Sequence, residues 1–208
     1  EPFGRNTCPA VTLAVLKAVE NNEDPIILTL SSDHQIKNNK KFIDAIKFGI
    51  EYAIKGRIVT FGVIPDYPAT GYGYIQSKKS NNDKNLKAFD IENFIEKPNS
   101  KKALELFADS KYTWNSGIFL FKASTLLKEL ESLSPEILRS CKRSLDEELL
   151  DLDFQRINKK AFKKVPNISI DVAIMQKTNL GTVIPLEAGW SDIGNWNSVW
   201  KVSEKDKN

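Results

Sequence analysis

Uninterrupted apolar runs alternate along this chain with stretches in which apolar residues return every three or four positions. Residues 25–30 (PIILTL) and 57–64 (RIVTFGVI) are apolar runs bounded by turn formers, which predicts fully buried strands. Between them Phe42, Ile43, Ile46, Ile50, Ala53 and Ile54 recur at helical spacing and predict an amphipathic helix over 40–55. A strand, a helix of this length and a strand predict a right-handed crossover, hence an α/β fold with a mainly parallel sheet. Further on, 72–77, 85–94 and 114–121 read as strands, with an exposed polar loop over 78–84 and a short helix over 101–108. Residues 124–162 read as helical with a break at Ser134-Pro135, where proline opens a new helix. Short helices over 10–20, 168–176 and 196–205 and a strand over 182–186 complete the reading as one domain, 1–208.

Composition narrows the function classes. The 208 residues carry Lys+Arg 30 against Asp+Glu 27, a net charge of +3, and the lysines are scattered, so charge does not imply a nucleic-acid partner. No run of 18 apolar residues predicts a membrane span, and no signal segment opens the chain. Cys8 and Cys141 have no metal-ligand spacing and a chain this long needs no disulfide framework, so a reducing, cytoplasmic setting is expected.

Several segments place polar residues at or just beyond the ends of apolar strands, the edge where open α/β sheets bind ligands. Asp33 follows PIILTL directly and reads either as a ligand or as a helix cap or loop aspartate. In Thr70-Gly71-Tyr72-Gly73 the glycines admit a close ligand or serve an ordinary turn. In Phe94-Ile95-Glu96-Lys97-Pro98 a continued strand would point Glu96 and Lys97 to opposite faces, the carboxylate toward sugar hydroxyls and the ammonium toward a phosphate; a charged loop edge is the other reading. Asn115, heading WNSGIFLF, must satisfy its amide with backbone or with ligand. Asp192, in GWSDIGNW, also follows a strand, and with Asp33 it suits a hard divalent ion such as Mg²⁺ that bridges to phosphates. Trp190 and Trp196 are expected to pack that loop into the core. His34 is the single histidine and no Gly-x-Ser-x-Gly elbow is present, so a hydrolase triad is not indicated; His34 reads as a turn residue holding the Asp33 loop.

Taken in order, EPFGRNTCPAV (1–11), LSSDHQI (30–36), TGYGYI (70–75), FIEKP (94–98), WNSGIFLF (114–121), SIDVAIMQK (169–177) and GWSDIGNW (189–196) closely resemble the nucleotidyltransferases that make nucleotide sugars, specifically the mannose-1-phosphate guanylyltransferases. The resemblance implies a Rossmann-like mixed, mainly parallel sheet flanked by helices. It implies transfer of a guanylyl group from GTP to mannose 1-phosphate, giving GDP-mannose and pyrophosphate, with Mg²⁺ as cofactor. Arg5, Asn6 and Thr7 resemble the segment that reads the base, and Asp33 and Asp192 the pair that holds Mg²⁺. Tyr72 and Gly73 resemble the turn that closes over the sugar, Glu96 and Asn115 its hydroxyl partners, and Lys97 the cation that meets its phosphate. Asp171 falls near the sugar end by the same resemblance, or caps its own short helix.

The family's opening strand and glycine-rich loop, Gly-Gly-x-Gly-x-Arg-x-x-Pro, do not occur in these 208 residues. A fragment impaired on its own is therefore expected, with a sheet edge that favours homo-oligomers or strand exchange. A transferase for another sugar 1-phosphate and a non-catalytic sugar-nucleotide-binding module are the alternative readings.

Overall fold

The computed structural model describes residues 1–78, 86–146, 149–151, 154–194 and 196–203. In chain order the elements are α1 (Thr7–Ala18), β1 (Ile26–Thr29), β2 (Gln35–Ile36), α2 (Asn39–Ile54), β3 (Ile58–Val63), β4 (Tyr74–Ser77), β5 (Phe89–Ile95), α3 (Ser100–Phe107) and β6 (Tyr112–Lys122). They continue with α4 (Ala123–Leu133), α5 (Pro135–Leu145), β7 (Leu149–Asp151), β8 (Phe154–Arg156), α6 (Lys159–Phe162), a π turn (Asp171–Met175), β9 (Gly181–Leu186), β10 (Trp190–Ser191) and α7 (Trp196–Val202). The result is an α/β fold with a mixed sheet. The loop expected over 78–84 lies, but for its first residue, outside the described residues.

The elements group into two compact units between which the chain passes repeatedly. The first comprises Glu1–Ile27, Ala53–Ile58 and Phe121–Gly181. Here α1, α4 and α5 pack against one another, burying Val15, Leu126, Leu130, Ile137 and Cys141. The Ser134-Pro135 break falls as expected, with proline in the first turn of α5. Asn158 caps α6 by accepting a bond from the Ala161 amide at 2.8 Å. Both cysteines are free and buried, and burial pushes each thiol up to about 12. Neither thiol is a nucleophile near neutral pH.

The second unit comprises Leu28–Tyr52, Val59–Leu120 and Thr182–Asn208. Most of a six-stranded sheet ordered β1-β6-β3-β9-β5-β4 lies in it, and β6 also pairs with β4. The pairs β3–β6, β4–β5, β4–β6 and β5–β9 are antiparallel. β1 and β3, the two strands of the expected crossover, lie in one sheet with β6 between them. Against expectation PIILTL is not fully buried: β1 is an edge strand of partial exposure and Leu30 is exposed. Phe61, Tyr74, Ile75, Phe119, Leu120 and Ile184 are sealed from solvent. α2 adds its apolar stripe, with the Phe42 ring edge-on to Phe61 at 6.0 Å.

Candidate active site

Two very short strands organise the acidic residues. β2 follows Asp33 and β10 precedes Asp192, and the two pair antiparallel with Trp190 opposite Ile36 and Ser191 opposite Gln35. Continued by one residue, this register sets His34 across from Asp192. A second tie crosses the ribbon, for the Trp190 indole N–H donates to His34 Nδ1 at 3.2 Å. An indole can only donate, so the imidazole accepts at Nδ1 and is neutral. Burial lowers the His34 pKa, outweighing the opposite pull of Asp33 and Asp192. Periodicity gives no warning of β2 or β10, since two residues cannot display a period.

Asp192 is anchored from a third segment. The Tyr72 hydroxyl donates to its Oδ1 at 2.9 Å. The Tyr72 ring is held edge-on to Trp190 at 5.5 Å and to Trp114 at 5.0 Å, and Trp114 in turn meets Tyr67 at 4.9 Å. Desolvation first, then the Tyr67 and Asp192 side chains, drive the Tyr72 pKa far up, so the phenol keeps its proton. Trp190 thus contacts both His34 and Tyr72. Trp196 does not pack the loop as expected, because it is 87% exposed at the head of α7.

Gly73, Glu96 and Asn115 meet at a second point of the same unit. The Asn115 backbone N–H donates to the Gly73 carbonyl at 2.8 Å. A Cβ added to Gly73 would lie 2.6 Å from Glu96 Oε2 and 3.4 Å from Asn115 Cβ. Asn115 is buried; its Oδ1 accepts from the Gly117 amide at 3.2 Å and shares the single Thr60 hydroxyl proton, also at 3.2 Å, with the Ile118 carbonyl at 3.0 Å. These contacts hold the side-chain oxygen within the protein.

The charge pair differs from expectation. β5 ends at Ile95 and Lys97 adopts φ 45, so strand alternation no longer separates the two side chains. Lys97 Nζ lies 3.8 Å from Glu96 Oε1, with its own side chain 66% exposed. The ammonium is tethered loosely and has room to meet an anion.

The remaining candidates lie in the first unit. Asn6, at φ 65, caps α1 and accepts from the Thr7 amide at 2.9 Å. Arg5 donates through Nη2 to the Lys163 carbonyl. Thr7 Oγ1 accepts from the Ile170 amide at 3.0 Å, which brings it beside Asp171 at the start of the π turn.

The fit of a divalent cation is decided by the donor set in the second unit. Asp33 is exposed, Asp192 half-buried, and the neutral His34 is engaged by Trp190. A Cβ on Gly194 would stand 2.7 Å from Asp192 Oδ2, so glycine keeps that oxygen's surroundings clear. Two carboxylates without a thiolate suit a hard cation that retains several waters. No group of three or more His, Cys, Asp or Glu able to hold a metal occurs among the described residues.

The sheet is a mixed α/β one, and a single unit carries the joined Asp33 and Asp192 loops, the Tyr72 turn and the Glu96-Lys97 pair. The chain belongs to the Nucleotidyl transferase family, whose model matches residues 1–208. It is 46% identical over 209 residues to a mannose-1-phosphate guanylyltransferase of Salmonella typhimurium, covering 99% of this chain and 43% of that protein. A mannose-1-phosphate guanylyltransferase of Escherichia coli K12 is 42% identical over 206 residues, covering 98% and 43%. The chain therefore spans less than half the length of these curated relatives. Among solved structures, one named mannose-1-phosphate geranyltransferase from Thermus thermophilus superposes with TM-score 0.82 at 30% identity, covering 99% of this chain and 57% of that one. One named mannose-6-phosphate isomerase from Helicobacter pylori superposes with TM-score 0.80 at 34% identity, covering 91% and 71%. No helix among the described residues is long and apolar enough to cross a membrane.

Proposed function

We propose that this chain supplies the sugar-phosphate and cation-binding part of a mannose-1-phosphate guanylyltransferase. A phosphate oxygen of mannose 1-phosphate attacks the α-phosphorus of GTP in line. The new P–O bond gives GDP-mannose as the α–β bridging bond breaks and pyrophosphate departs. The observation that carries this reading is the ribbon that joins the loops of Asp33 and Asp192. The names of relatives at 42–46% identity supply the base and the sugar.

Asp33 and Asp192 would hold Mg²⁺, which when bound neutralises charge on the nucleotide and sugar phosphates. Tyr72 keeps Asp192 in place. Glu96 accepts from sugar hydroxyls, and Asn115 donates to one from an amide oriented by Thr60 and Gly117. Lys97 swings from Glu96 to the sugar phosphate. In the first unit, Arg5, Asn6 and Thr7 are assigned to the base and Asp171 to the sugar end on the strength of the resemblance. A phosphate monoester with a second pKa of about 6 is largely ionised at neutral pH, so the nucleophile needs no protein base. The rate then comes from positioning and charge neutralisation.

The test is pyrophosphate release by the whole protein that carries this chain, supplied with GTP, Mg²⁺ and either mannose 1-phosphate or glucose 1-phosphate. Release that requires mannose 1-phosphate and stops on chelation of Mg²⁺ is expected. Binding of GDP-mannose with no turnover, indifferent to Mg²⁺, would instead identify a binding module.

A further inference from the structure

We infer that His34 and Trp190 are positioning residues, a side-chain clasp that fixes the distance between the two carboxylates offered to the divalent cation. The inference rests on the cation reading above and extends it to residues that touch neither substrate nor metal. β2 and β10 contribute two residues each. Two additional backbone bonds continue the ribbon away from the carboxylates, Lys37 N–H to Gly189 O at 3.3 Å and Asn38 N–H to Ala188 O at 2.9 Å. So short a two-stranded ribbon is marginal by itself, and its acidic end runs into loops on both sides. At that end the Trp190–His34 bond is the side-chain tie, made by the residue next to Asp33 and the residue two before Asp192. The two rings also meet edge to face at 5.2 Å and 82°, a geometry favourable in its own right.

The clasp reaches Asp192 by a second route. Trp190 packs on Tyr72, and Tyr72 donates to Asp192 Oδ1. The Asp33 loop is thereby tied to Asp192 through His34, Trp190 and Tyr72 in succession. Groups that orient a metal's ligands without touching the metal commonly change its affinity by about 10–100-fold when removed.

The test measures free Mn²⁺ by electron paramagnetic resonance while it titrates the whole protein in the presence of GDP-mannose. Trp190→Phe keeps the ring and deletes the N–H, His34→Phe keeps a ring and deletes the acceptor, and His34→Gln restores an acceptor oxygen. Trp190→Phe and His34→Phe are each expected to weaken Mn²⁺ about tenfold. Their combination should be no weaker than the worse single change, because both delete one bond. His34→Gln should recover most of the affinity, an outcome that loss of stability alone would not produce. Wild-type affinity in Trp190→Phe, alongside loss of binding in Asp33→Asn, would overturn the clasp and leave the cation site standing. Unchanged binding in Asp33→Asn would overturn the cation reading, and the clasp with it.

Discussion

A Cβ placed on Gly73 would come within 2.6 Å of Glu96 Oε2, so the turn that carries Tyr72 and the carboxylate at the end of β5 are in contact because residue 73 has no side chain. Gly73→Ala displaces the Glu96 carboxylate and leaves the metal-side residues alone. The expected result is a rise of roughly tenfold or more in KM for mannose 1-phosphate, the equivalent of one hydrogen bond to a charged group. KM for GTP should stay near the wild-type value. Steady-state kinetics with each substrate varied in turn provide the check.

Gly194 makes the corresponding allowance for Asp192. In Gly194→Ala the new methyl would stand 2.7 Å from Asp192 Oδ2, and the carboxylate is the part free to yield. Turning it away strains the bond from Tyr72 at Oδ1. The Mg²⁺ concentration for half-maximal activity should rise about 10–100-fold, while melting in the absence of metal stays close to wild type.

Thr60 acts on Asn115 from within the sheet. Its hydroxyl stands 3.2 Å from Asn115 Oδ1 and 3.0 Å from the Ile118 carbonyl. Thr60→Val is nearly isosteric but removes the donor, and should cost about 1 kcal/mol of stability. Less firmly oriented, the Asn115 amide should discriminate less between mannose 1-phosphate and glucose 1-phosphate. Chemical denaturation and competition between the two sugars measure the two effects.

Asp24 allows a pH test in the first unit, away from the candidate residues. It accepts from the Ser124 amide at 2.8 Å, capping the start of α4, and pairs with Lys122 at 2.9 Å. Desolvation, the largest single influence, works upward, but the Ser124 and Lys122 contacts together outweigh it and lower the carboxyl from 3.8 to about 2. Above 3.8 the carboxylate is charged both folded and unfolded, so its contribution is full. As pH falls from 3.8 towards 2 the unfolded chain binds the proton first, and the contribution fades. Asp24→Ala should cost about 1 kcal/mol or less at neutral pH, given its exposure. That difference should shrink across the same acid window in thermal melts.

The long periodic elements were legible in the sequence. The spacing of Phe42, Ile46, Ile50 and Ala53 predicts α2 to within a residue at each end, and the Ser134-Pro135 break separates α4 from α5 as read. Elements set by partners distant in sequence were not. β2 and β10 exist because each pairs with the other, and β7 and β8 form a hairpin inside a stretch whose local pattern reads as helical. Strand alternation misjudged Glu96 and Lys97, because β5 stops at Ile95, before either of them. Asp33 and Asp192 stand out in the sequence by their position after apolar runs. The contribution of His34 and Trp190 emerges only when the two loops are seen paired.

The central claim is that Asp33 and Asp192 together hold the divalent cation on which guanylyl transfer depends. Its most direct test is Mg²⁺-dependent GDP-mannose formation by the whole protein with Asp33→Asn or Asp192→Asn, each change removing charge without removing bulk. Either substitution should lower kcat roughly 10²–10³-fold, and the double substitution should be little worse than the single ones. Near wild-type turnover and an unchanged Mg²⁺ requirement in both single variants would contradict the claim.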